Sequence, residues 1–459
     1  MQQNKNDFLG REPLGKLLFK LALPTITAQL INMLYNVVDR IYIGHMEGVG
    51  DLALTGVGVC MPLIMIISAF AALVSGGGAP RASIFMGQGD NASAERTMGA
   101  CFSMQCIVSV LLTLIMLIFH RPLLLAFGAS ENTIEYAASY MQIYSLGSIF
   151  VQLTLGMNAY ITAQGFAKMS MITVLIGALA NIALDPLFIF GFGLGVRGAA
   201  LATVISQAIS CTWVILFLAG KRSILKLKRS TLRLDMILIL PCVALGLAPF
   251  IMQSSESVIS VCFNSSLLTY GGDIAVGAMT NLTIVMQLAM LPLQGLSQGA
   301  QPIISYNYGA KNSDRVKGIF KLLLTCSLIY SLTVWAAVML FPEAFASIFT
   351  SKPELIGFTS SALRIYCAVL GIFGIQIACQ MTFVSLGKAL SSMIVAIMRK
   401  FVLLLPLIYI VPIFFSEGMK TTGVYLAEPI ADLLAVSFTA VLFAIQFKKA
   451  LKDINNIEL

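Results

Sequence analysis

Charged residues are scarce in this chain. Asp, Glu, Lys and Arg make up 11% of 459 positions, where a soluble domain carries about 25%. A water-facing surface of this size is therefore excluded. Histidine is nearly absent, with only His45 and His120, both expected as interfacial side chains at outer helix ends. An integral-membrane acyltransferase would need a positioned nucleophile or a His–acid pair, and neither is offered. No GxxxxGK[ST] string occurs, so ATP is not the power source. The nine cysteines show no CxxC and no metal-ligand spacing. They read as small buried hydrophobes, with no structural metal and no cofactor. The start, Met1 to Lys20, is polar and runs into a full-length apolar stretch, unlike a cleavable signal peptide.

What is abundant is apolar. Hydrophobic residues fill 58% of the positions, in runs with Gly, Ala, Ser and Pro scattered inside them. In lipid a backbone must satisfy its own polar groups, which leaves helices or closed barrels. The runs are helix-length, about 20 residues or more, and lack strand alternation. Twelve are expected: 16–43, 53–80, 98–119, 137–163, 168–191, 197–220, 236–263, 273–304, 319–341, 359–385, 390–415 and 421–446. The chain thus reads as an all-α, polytopic membrane protein with twelve transmembrane helices.

Lys and Arg gather in alternate loops. Lys5, Arg11 and Lys16 lie at the start, and Lys221, Arg222, Lys226, Lys228, Arg229 and Arg233 after the sixth run. Lys311, Arg315 and Lys317 follow the eighth, and Lys448, Lys449 and Lys452 lie near the end. The other side holds Arg121, Arg197, Lys352 and Lys420. Positive residues mark cytoplasmic loops, so both termini are expected in the cytoplasm of a multi-pass cell-membrane protein. This bias also accounts for the formal charge of +8, with no nucleic-acid partner required.

The sequence repeats itself. Gly77-Gly78-Ala79-Pro80 with Gly87 recurs 222 residues later as Gly299-Ala300-Gln301-Pro302 with Gly309. The same offset carries Phe127 to Phe349, Ile143-Tyr144 to Ile365-Tyr366, and Gly165 to Gly387. Nearer the ends it is 225, taking Pro24 to Pro249 and Gly198 to Gly423. Six spans per half give both halves one orientation, so the expected relation is a pseudo-two-fold axis along the membrane normal. The expected units are a first lobe, 1–220, a basic cytoplasmic linker, 221–235, and a second lobe, 236–459. Two such lobes enclose a central cleft that rocking can expose to either side, the logic of secondary transport.

Acids inside spans are costly and mark function. Asp39 and Asp185 lie about four and five residues from the outer ends of the first and fifth spans, hence at similar depth. Asn181 shares a helix face with Asp185. Thr203 falls at the same depth in the sixth span, and Tyr35 is one turn below Asp39. Two carboxylates in a low-dielectric site cannot both ionise cheaply, which suits proton uptake and release. Oxygen-rich coordination at Asp39 and Asp185 equally suits Na⁺, and a buried polar network between helices is the structural alternative. The repeat offers no second copy: Asp39 falls on Asn264, Asn181 on Leu403 and Asp185 on Leu407.

The second half has its own polar set, Glu256, Arg399, Glu428 and Asp432. An uncompensated Arg at mid-membrane is prohibitive, so a carboxylate is expected beside Arg399. A charge-neutralised network and a subsite for cationic substrate both remain open. Lys400 either faces a cavity or lies outside the span. Met279, Met286 and Met290 suit an adaptable apolar wall as well as ordinary helix packing.

At these residues the chain resembles the multidrug and toxic compound extrusion (MATE) family, closest to its DinF-like branch. The resemblance rests on Leu34-Tyr35-Asn36-Val37-Val38-Asp39, Asn181-Ile182-Ala183-Leu184-Asp185-Pro186 and Gly198-Ala199-Ala200-Leu201-Ala202-Thr203, and covers essentially the whole chain. It implies two six-helix bundles in an outward-opening V, and H⁺- or Na⁺-driven antiport of organic compounds. It carries the family's cation-site positions to Asp39, Asn181, Asp185 and Thr203, and further to Tyr35, Tyr140 and Asn158. One branch has a second-lobe cation site that Glu256 resembles. Its other acid is missing here, since Gly371-Ile372-Phe373-Gly374-Ile375-Gln376 holds no carboxylate, so coupling through the first lobe is favoured. The expected function is secondary active multidrug efflux by a monomer in membrane lipid, acting on small organic, often cationic, substrates. The rival is a lipid-linked oligosaccharide flippase of the same superfamily, which would need more cations in its cleft. A channel, lacking counter-ion dependence, is a third option.

Overall fold

A computed structural model describes residues 7–348 and 352–456; Lys5 and the repeat landmark Phe349 lie outside them. The described residues are helical throughout and contain no strand. A short helix α1 (Asp7–Arg11) precedes α2 (Leu14–Gly44), α3 (Gly50–Gly87) and α4 (Asn91–Ala126). Then come α5 (Ile134–Leu146), α6 (Ser148–Ala163), α7 (Ala167–Pro186) and α8 (Val196–Ala219). The second half holds α9 (Met236–Gly309), α10 (Ser313–Leu340), α11 (Pro342–Ser347), α12 (Pro353–Tyr366) and α13 (Phe373–Ser385). It ends with α14 (Ala389–Ile397), α15 (Leu405–Ile410) and α16 (Lys420–Asn456).

Nine of these stretches are long and apolar enough to cross a membrane, and two bent pairs raise the number to 11. The pairs are α5 with α6, bent by 56°, and α12 with the segment Leu370–Ser385, bent by 45°. The twelfth span is hidden in α9. Its 74 residues would run about 110 Å, several times a bilayer core. It is two spans meeting at Gly272, whose φ of 62° and ψ of −160° break the helix. The architecture is therefore twelve spans in two six-helix bundles.

Polar residues survive inside these spans because hydroxyls bond back to their own helix, as Ser75 Oγ does to the Ala71 carbonyl at 2.6 Å. His120 lies near the end of α4. It is buried, with Nδ1 3.1 Å from the Met116 carbonyl and Nε2 3.4 Å from Gln142 Nε2.

The repeat is visible bond by bond. Ser83 Oγ donates to the Ala163 carbonyl at 2.7 Å, and 222 residues on Ser305 Oγ donates to Ser385 at 2.8 Å. Asn158 Nδ2 donates to the Ser170 carbonyl at 3.4 Å, and Gln380 Nε2 to that of Ser392 at 3.1 Å. Asp90 caps α4 through the Ser93 N–H at 2.9 Å, and Asn312 caps α10 through that of Arg315 at 3.1 Å. In the exposed loop outside the membrane, hydrogen bonds from Ser93 hold the Asp90 carboxyl below the usual range.

The two halves join at one end. Leu17, Met86, Tyr160 and Leu225 there share a core with Cys242, Ile303, Ile319 and Leu386. Glycines allow the close approach. A Cβ on Gly87 would strike the Tyr306 carbonyl, and one on Gly309 would strike that of Ile84. Gly77 and Gly246 likewise rest on the backbone of the opposite half. Thr25 Oγ1 donates across the seam to the Gly295 carbonyl at 2.6 Å, and Phe70 meets Phe250 at 5.0 Å. Beyond that level each half closes on its own core, around Val57, Tyr140 and Ile189 in the first and Phe263, Leu363 and Ile408 in the second. The result is a V that narrows at the end carrying α1 and residues 221–235.

Candidate functional site

The first-half set assembles on four helices. α2 carries Tyr35 and Asp39, α7 carries Asn181 and Asp185, α8 carries Thr203 and α5 carries Tyr140. Asp39 is 6% exposed although its neighbours on α2, Val37 and Ile41, are 44% and 50% exposed. Its side chain therefore turns inward, onto α7. Asp185 and Asn181 are one turn apart on α7 and fully buried. Pro186 follows directly, and the chain widens into a π turn over Leu187–Gly191. Such turns recur at functional sites.

The carboxyl groups of Asp39 and Asp185 lie against each other. Asn181 Nδ2 donates to Asp185 Oδ1 at 3.3 Å. Among the described residues, no hydrogen-bond partner reaches Asp39 Oδ1, Asp185 Oδ2 or Asn181 Oδ1. Buried oxygens without a donor are costly, and a proton or a small hard cation between them removes the cost. Thr203 Oγ1 donates to the Ala199 carbonyl at 3.0 Å, with Tyr140 beside it. Tyr35 neighbours both Asp39 and Tyr144.

Two neighbours were missed from sequence. Tyr144 stacks on Tyr140 with centroids 6.1 Å apart, and their spacing of four residues was the available signal. Arg40, next to Asp39, points outward and is exposed; only its position in the chain marked it. Asn158 stands apart from the set. Its bond ties α6 to Ser170, at the start of α7, roughly 16 Å along the helix from Asn181. Since Gln380 does the same in the second half, this contact belongs to the repeated scaffold.

The second-half set is a chain of alternating charge. Arg399 Nε donates to Asp432 at 2.7 Å and Nη2 to Glu428 at 3.1 Å, while its guanidinium lies 4.6 Å from the Phe373 ring centre. Lys400 Nζ donates to Glu256 at 2.6 Å. Lys400 is buried, and Glu256 is 53% exposed. Both cations sit in a π-helical segment, Met398–Leu404, which narrows the angle between successive side chains and turns both inward. Met286 packs into the second half's own core, 3.7 Å from the Cys367 sulfur. At the offset of 225, Thr203 falls on Glu428, so one framework position serves different sets in the two halves.

Comparison with known proteins gives the same architecture. A multidrug export protein, MepA, of Staphylococcus haemolyticus is 24% identical over 436 residues, covering 95% of each chain. An FAD transporter of Shewanella oneidensis is 25% identical over 430 residues, covering 92% of each. A solved structure, the outward-facing conformation of a multidrug resistance MATE family transporter of the MOP superfamily, superposes with a TM-score of 0.90 at 24% identity. It covers 98% of this chain and 99% of that one. A family model, MatE, matches twice, over residues 24–187 and 247–410. With both halves matched and the fold shared end to end, the chain belongs to the MatE family: it is a membrane transporter and not an enzyme.

Proposed function

We propose that the chain is a secondary active multidrug efflux transporter of the cell membrane, exporting organic, often cationic, compounds in exchange for protons. The observation that carries this reading is the contact of Asp39 and Asp185, two buried carboxyls with one unpartnered oxygen each. Such a pair holds one shared proton readily and loses it when an aqueous path opens. Na⁺ at the same oxygens is the alternative coupling ion. The narrow end of the V carries the basic segments, so the positive-inside bias puts that end, both termini and residues 221–235 in the cytoplasm. The open side then faces out, where substrate leaves and a proton enters. Alternating access follows if the lobes, 1–220 and 236–459, rock about the seam of glycines. The similarity to multidrug export proteins supports the cargo class, and a single chain suffices for the cycle.

The test is substrate efflux from proteoliposomes under imposed pH or Na⁺ gradients. Asp39→Asn and Asp185→Asn should each abolish gradient-driven efflux while drug binding persists. The double variant should be little worse than either single change, because one device fails only once. If both single variants keep wild-type efflux, the pair is structural, and coupling must be sought at Glu256 and Glu428.

A further inference from the structure

The short helix α1 belongs by sequence to the first half, yet backbone carbonyls in it and just after it accept hydrogen bonds from the second. The Leu9 carbonyl accepts from Asn307 Nδ2 at 3.0 Å and from Arg315 Nη2 at 3.1 Å. The Glu12 carbonyl accepts from the same Arg315 nitrogen at 2.9 Å. Arg315 Nε donates to Asn307 Oδ1 at 3.1 Å, which fixes the guanidinium in place. Asn307 and Leu9 are fully buried. Toward the first half the contacts are of another kind. The Phe8 ring fills the space over Gly165, where a Cβ would lie 2.5 Å from it and where φ is +84°. Lys20 of α2 pairs with Glu12 at 2.9 Å, half exposed to solvent.

We propose that α1 is a bolt across the closed end, with Arg315 as its catch, and that it sets how often this end opens. This rests on the alternating-access reading above. Opening must part Gly87 from Tyr306 and Gly309 from Ile84, and α1 spans that joint. Charge-assisted bonds away from water are the strong ones, and Arg315 makes two of them, whereas the solvent-exposed Lys20–Glu12 pair contributes little, so α1 stays with the second half, and Phe8 leaves its notch over Gly165. The repeat argues that the device is more than scaffold. At the offset of 222, Arg315 and Asn307 fall on Ser93 and Phe85, which cannot make such a catch. The scaffold bonds, by contrast, recur in both halves.

Native thiols report on the joint. Cys101 and Cys242, one from each half, are fully buried beside Gly78 and Gly77 at the seam. Cys367 is fully buried within the second half's own core. The experiment is N-ethylmaleimide labelling of the reconstituted chain, read site by site by peptide mass spectrometry. Arg315→Ala and Phe8→Ala should each speed labelling of Cys101 and Cys242 several-fold, with Cys367 unchanged. Arg315→Lys should fall between, since a point charge cannot hold the same three acceptors. Should Arg315→Ala fold poorly, deletion of residues 2–12 removes the bolt and leaves Arg315 in place. Unchanged labelling at the seam, or an equal rise at Cys367, overturns the proposal. If a pH gradient speeds seam labelling in the wild type while Arg315→Ala labels at the wild-type rate with and without the gradient, the bolt fails and alternating access stands. If no gradient or substrate ever exposes the seam in the wild type, there is no second state to hold shut, and both readings fall.

Discussion

At the scale of single residues, Arg399 shows what a membrane interior demands. Its guanidinium has lost nearly all water, and Asp432 and Glu428 replace it. Removing one member of a buried ion network strands the others, at a cost of about 3–5 kcal/mol. Arg399→Ala should therefore lower thermal stability in detergent by that order. Adding Asp432→Asn should return part of the loss. Independent, additive effects in that double-mutant cycle would remove the pairing. The need for a carboxylate beside Arg399 was readable from sequence, because the penalty of an unpaired Arg applies wherever the helix turns. That two carboxylates answer it, and that Lys400 finds Glu256, was not readable. Both depend on the π-helical segment at 398–404, and a local widening leaves no periodic signal. The pairing of Asp39 with Asp185 was suggested by matched depth. The missing donors at Asp39 Oδ1 and Asp185 Oδ2 depend on how neighbouring helices pack and leave no mark in the sequence.

At the scale of elements, length and apolar content mark spans well and their interruptions poorly. The bends of 56° and 45° fall inside continuous apolar runs. The break at Gly272, by contrast, falls between the two expected runs, 236–263 and 273–304. Glycines separate into those that need their missing side chain and those that do not. Gly87 and Gly309 each face a backbone carbonyl of the other half, while Gly58 has nothing within 4 Å of a Cβ position. Gly87→Ala and Gly309→Ala should each push the halves apart and lower the melting temperature. Gly58→Ala should be neutral, or stabilising by about 0.5–1 kcal/mol through helix propensity. Equal behaviour of the three variants in a thermal melt would show that the seam is looser than these contacts require.

At the scale of the whole molecule, orientation sets the direction of transport. Lys226 is exposed on the segment between the halves, and its backbone N–H is held by Glu95 at 2.9 Å. A thiol placed there, Lys226→Cys, should react with an impermeant maleimide in inside-out vesicles and stay unlabelled in intact cells. Labelling from outside would invert the topology and, with it, the assigned direction of transport. The repeat itself was legible from a few landmarks, Gly87 with Gly309 and Gly165 with Gly387 among them, because close approach and tight turns restrict which residue can serve. The differing polar sets were legible only as mismatches within it.

The reciprocal contact of Gly87 and Gly309 has a consequence for ancestry. Each glycine touches the residue that corresponds to the other's partner, since Ile84 and Tyr306 are themselves 222 positions apart. In the vocabulary of oligomers this is an isologous interface, the self-complementary surface of a C2 dimer, drawn within one chain. A half with such a surface is built to pair with a copy of itself. Two identical halves could assemble before fusion, and the single linker then freed each to change alone. Asp39 and Asp185 on one side and Arg399 on the other are what that freedom left behind.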